Sequence, residues 1–103
     1  MKATLYLPQQ PPQAVSAEGM SMPNPATGFA GVPEEVPALL GCHRELVDIL
    51  ACGQNYVAYS IFDYEGGPCN KAAMQALTEL TGHSFEAEDE DCALFGPILV
   101  VLE

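Results

Sequence analysis

Cys42, Cys52, Cys69 and Cys92, with His43 and His83, are the residues of this chain suited to metal or nucleophilic chemistry. Their spacing speaks against metal. Structural zinc sites draw on close ligand pairs such as C-x-x-C, whereas these cysteines are ten, seventeen and twenty-three positions apart. Cys42 and His43 are neighbours, but adjacent residues on a helix point about 100° apart and do not face each other. Cys69 is better placed for reactivity. It precedes NKAAMQALTELTG, and a helix N-terminus lowers the pKa of a thiol. A histidine brought to it in space would complete a thiol catalyst. Acidic surroundings oppose that, and no oxyanion donors are identifiable. The chain also lacks G-x-S-x-G, H-E-x-x-H and a phosphate-cradling glycine loop. The expectation is a protein that is not an enzyme and holds no cofactor or metal, with a small thiol enzyme around Cys69 as the weaker alternative.

The other candidate chemistry is charge. SFEAEDEDC, residues 84–92, carries Glu86, Glu88, Asp89, Glu90 and Asp91. Calcium loops use D-x-[DN]-x-[DN]-G, with a glycine at the sharp turn; here no glycine follows until Gly96. A different geometry fits. An extended chain rises about 3.3 Å per residue, close to the ~3.4 Å between charges along one DNA strand. Glu88 to Asp91 would therefore present carboxylate at nearly phosphate density. Repulsion between two such charges about 7 Å apart in water is only ~0.6 kcal/mol, so their exposure is tolerable. The plain reading is a solvated loop that guards a sheet edge. The global balance weighs against that alone.

The chain has 14 acidic residues against Lys2, Arg44 and Lys71, a net charge of −11. Eight of the acids and one lysine fall between Asp63 and Asp91, more asymmetry than solubility requires. Such a balance excludes direct nucleic-acid binding, which needs Lys and Arg on phosphates, and binding to anionic membranes. It favours a basic protein partner. Partner-binding residues are expected at Glu86, Glu88, Asp89, Glu90 and Asp91, flanked by Asp63, Glu65 and Glu79, each accepting from Lys or Arg. The second reading is a structural or regulatory module that binds through its Pro/Met segment, GMSMPNP at 19–25, since methionine surfaces adapt to partners.

These groups need a frame. At 103 residues and 49% hydrophobic content, the length suits one domain over 1–103. No run reaches the ~18 apolar residues of a membrane span, and MKATLYLPQQPP lacks the pattern of a leader, so a cytoplasmic protein with reduced thiols is expected. ATLYL, residues 3–7, alternates as a strand does, and QAVSA is placed to return as a second. Seven of nine prolines lie between Pro8 and Pro37, which predicts a long Pro/Gly-rich loop at about 8–33. Glu34, Glu35 and Pro37 suit a helix start. Leu39, His43, Leu46, Val47 and Leu50 share a helical face, with Gly41 splitting a short turn from a main helix at 42–51 and Gly53 as its stop. NYVAYSIFD, apolar on both faces, reads as a central strand. Asn70 and Gly82 bracket a second helix, and PILVVLE reads as a buried strand. A right-handed crossover would set this last strand parallel to the one at 56–62.

KATLYLP, YSIFDYEGGPCNKAA and DCALFGPILVV together resemble small domains carried by phages and conjugative elements, over about half the chain; the stretch from Pro8 to Pro33 departs from that pattern. The resemblance implies a mobile-element setting and carries no activity with it. The resulting expectation is an α+β fold, a small mixed sheet of three to four strands packed against two helices. It would serve as an acidic interaction protein, an inhibitor that presents carboxylates to a basic nucleic-acid-binding host protein.

Overall fold

The computed structural model describes residues 1–24, 26–28, 31–62, 64, 67–82 and 94–103. The fold is α+β. Strands β1 (Lys2–Tyr6), β2 (Gln13–Val15), β3 (Val47–Cys52), β4 (Tyr56–Ile61) and β5 (Ile98–Leu102) form one sheet in the order β2-β1-β5-β4-β3. Helices α1 (Glu35–Leu40) and α2 (Lys71–Thr81) complete it, with a 3-10 turn at Arg44–Leu46.

Alternation along the strands makes two cores, one on each face of the sheet. Ala3, Leu5, Val57, Tyr59, Leu99 and Val101 point to one face and meet Met20 together with Val36 and Leu40 of α1. Ala58, Ile98 and Val100 point to the other and meet Ala73, Met74 and Leu77 of α2. β4 and β5 are therefore buried on both sides, which is why their sequences are apolar but for Ser60, itself buried. Leu77, Leu99, Val57 and Val101 are completely buried, each contributing roughly 1.5–3 kcal/mol by leaving water.

Two sequence expectations are corrected. Among the described residues the sheet has five strands and every pairing is antiparallel, β4 with β5 included. The crossover fails because the chain returns to its starting point. α2 begins at the end of the sheet where β4 finishes, and after it the chain re-enters the described structure at Leu94, whose carbonyl accepts from the Asn70 N–H at the start of α2 (2.6 Å). β5 thus sets off beside the end of β4.

The second correction concerns 42–52. The helix stops at Gly41, in the left-handed region at φ 77°, where its N–H donates to Pro37 O. No main helix follows. His43 precedes the 3-10 turn and is exposed rather than lying on an apolar stripe. Residues 47–52 become an edge strand. Val47 and Ile49 satisfy a two-residue period as well as Leu46, Val47 and Leu50 satisfy a helical one, and long-range pairing decides between them: Val47 stands opposite Ile61 and Ile49 opposite Tyr59. Gly53, expected as a helix stop, instead opens the β3–β4 turn, its N–H donating to Tyr56 O.

Candidate functional site

Of the residues expected to bind a partner, Glu79 lies within the described structure. Glu86, Glu88, Asp89, Glu90, Asp91, Asp63 and Glu65 lie outside the described residues, as do His83 and Cys92. Glu79 is exposed on α2, on the stripe that also shows Lys71 and Gln75. Burial, and after it the Glu79 carboxylate, push the Tyr6 phenol above its ordinary pKa.

Asn70 joins several elements near the start of α2. It is fully buried, and its side chain makes three hydrogen bonds. Nδ2 donates to Tyr6 O (2.9 Å) and to Gly96 O (2.8 Å), and Oδ1 accepts from the Ala73 N–H (3.3 Å). The last of these is the helix cap expected of an asparagine. The other two join the end of β1 to the entry of β5. Tyr64 lies against the backbone of Gly96, where a Cβ would sit 2.8 Å from the ring. The end of β1 and the entry to β5 are thereby tied to the start of α2.

The structure also places two carboxylates around one depression, which the sequence reading missed. Glu18 and Glu35 line one depression of about 360 Å³ with Ser16, Ala38 and Leu39. Gly19 makes the approach possible. Its φ is +83°, and a Cβ there would fall 2.6–2.7 Å from the Glu35 carboxylate. An E-G pair in a proline-rich loop facing the first turn of a helix is the signal that was present. Across the described surface, Glu18, Glu34, Glu35, Glu45, Asp48, Glu79 and Glu103 are all exposed.

The thiols are arranged less favourably for chemistry. Cys69 is half-buried beside α2 in a depression of about 430 Å³ lined by Gln9, Gln10, Pro68, Lys71 and Ala72, with no imidazole among them. His43 lines a different depression, with Cys42. Burial pushes the Cys42 thiol above its ordinary pKa, which keeps it protonated and a poor nucleophile. Among the described residues no group of three or more His, Cys, Asp or Glu side chains is placed to hold a metal ion. No described helix is long and apolar enough to cross a membrane.

The Pro/Met segment turns inward. Met20 is buried in the core of the α1 face and Met22 packs against it, so these side chains cover the sheet rather than offer themselves to a partner. No known protein family, no curated protein and no solved structure matches the chain.

Proposed function

We propose that this chain is a non-enzymatic acidic interaction protein, an inhibitor of the mobile-element kind that engages the basic groove of a nucleic-acid-binding host protein. The observation that carries this reading is the uncompensated carboxylate: 14 acids against three bases, with every described acid exposed and both cores assembled from other residues. Carboxylates that the fold does not use are available as acceptors for Lys and Arg. Glu86, Glu88, Asp89, Glu90 and Asp91 supply the dense run, and Asp63, Glu65 and Glu79 flank it. The partner is basic protein, not nucleic acid and not membrane, met in the cytoplasm.

The test is capture of host proteins on the immobilised chain, washed at low and at high salt, beside a variant with Glu88, Asp89, Glu90 and Asp91 changed to Ser. The expected partner is a basic nucleic-acid-binding protein, held at low salt, released at high salt and lost by the variant, because exposed charge pairs are screened over about 10 Å at 0.1 M salt. A partner indifferent to both salt and substitution would overturn the reading.

A further inference from the structure

Two large apolar side chains stand exposed where β3 begins and β4 ends: Leu46 at 41% and Phe62 at 63%. The Phe62 N–H donates to Leu46 O (2.6 Å), which carries the β3–β4 ladder one step beyond the pair of Val47 and Ile61. Val47 and Ile61 pack against the core on the α1 side. Successive positions along a strand alternate between faces, so the ladder buries one pair and turns the next to solvent. Single exposed leucines are ordinary on a protein surface. Two apolar side chains on paired segments, about 5 Å apart at Cβ, make a patch. Charge surrounds it. Glu45 and Asp48, before and after Leu46 in the chain, are exposed, as is Arg44. Two carboxylates thus stand against one guanidinium, within a chain whose net charge is −11, and the field of the whole molecule adds to the local one.

We infer that Leu46 and Phe62 form an apolar anchor point for a basic segment of a partner protein, one in which apolar side chains are interspersed with Lys or Arg. An apolar side chain of that segment seats on Leu46 and Phe62, where its burial supplies affinity. The cations meet Glu45 and Asp48 and the face of the Phe62 ring. The inference deepens the acidic reading and rests on it for the sign of the partner's charge. What it adds is selectivity: charge alone accepts any polycation, whereas an apolar anchor among charges discriminates between them. A second copy of this chain is the poorer occupant, because each copy brings the same −11, and like charges juxtaposed at an interface oppose binding.

Two fluorescent peptides of equal length and charge serve as probes, one alternating lysine with leucine and the other lysine with serine. Fluorescence anisotropy at low salt measures their binding to the intact protein. The leucine peptide is expected to bind at least about ten-fold tighter, the effect of burying roughly one apolar side chain. Leu46→Ser and Phe62→Ser together should remove that preference and leave the serine peptide within about two-fold, since neither side chain carries charge. Glu45→Gln with Asp48→Asn should instead weaken both peptides alike, by about two- to five-fold. All four positions are exposed, so each variant should keep the far-UV circular dichroism of the parent. Equal affinity of the parent for both peptides, or a leucine preference that survives the Leu46 and Phe62 substitutions, would overturn the inference and leave the acidic reading standing. Failure of both peptides to bind would bring down the acidic reading and the inference with it. A parent that sediments as a dimer, dispersed by Phe62→Ser, would assign the patch to a second copy and likewise overturn the inference.

Discussion

Replacing Asn70 with Ala should cost more than any surface substitution in this protein, and the structure says how much. The side chain is completely buried. Its loss removes the α2 cap, worth about 1 kcal/mol. It also leaves the Tyr6 and Gly96 carbonyls without the Nδ2 donor they share, at roughly 1–3 kcal/mol for the buried Gly96 bond and about 1 kcal/mol for the part-buried Tyr6 bond. The expected total is about 3 to 5 kcal/mol, a large part of the 5–15 kcal/mol that holds a domain of this size together. Asn70→Ser separates the contributions. A serine keeps the cap acceptor and lacks the two donors, so it should recover only about 1 kcal/mol. Asn70→Asp keeps the cap too, but turns a carboxylate towards two carbonyl oxygens. The folded state would then hold the Asp proton more tightly than the unfolded chain does, and stability would fall as pH rises through about 4. Urea unfolding followed by far-UV circular dichroism measures all three. An Ala variant within about 1 kcal/mol of the parent, or a Ser variant as stable as the parent, would refute the two-carbonyl argument.

Three further outcomes are expected. Gly19→Ala should destabilise by about 1–2 kcal/mol through its positive φ and by more through the Glu35 carboxylate that a Cβ would meet; a double-mutant cycle with Glu35→Ala should recover the second part and not the first, and strict additivity would refute the contact. Burial pushes the Tyr59 and Tyr6 phenols above their ordinary value, so the folded state retains protons that the unfolded chain gives up. Stability should accordingly hold below about pH 10 and decline as pH rises above it, and urea midpoints flat across that range would count against it. Phe62→Ser should shift stability by no more than about 0.5 kcal/mol, because Phe62 is 63% exposed; a thermal melt displaced by many degrees would mean that the ring is covered.

The elements legible in the sequence were those whose local signals agree with one another. Asn70 and Gly82 bracket α2 with cap chemistry at both ends, and the largely apolar runs at 56–61 and 98–102 fit strands buried on both faces. β3 was not legible, because VDILAC fits a helix and a strand equally and only its partner across the sheet, Tyr59 opposite Ile49, selects the strand. The direction of β5 was hidden for a related reason. The same strand–helix–strand order serves a crossover or a return, and the hydrogen bond from Asn70 to Leu94 that marks the return is a contact between residues distant in sequence. Charge was legible as quantity and not as place. The run at 86–91 is obvious in the sequence, whereas Glu18 and Glu35 line one depression only once Gly19, with its positive φ, lets the Glu35 carboxylate come close.

The position of β5 has a consequence for how the molecule comes to exist. β5 stands between β1 and β4, so the strand made last is the one that joins the others. Without residues 98–102 the chain holds two separate hairpins, β1–β2 and β3–β4, and a lone two-stranded hairpin is marginal at best in water. Lys2 finds its partner, Leu102, at the far end of the sequence, and pairings of that range are formed slowly because the intervening chain must first be closed into a loop. During synthesis the apolar strand at 56–61 therefore keeps one edge unpaired until residues 98–102 are made.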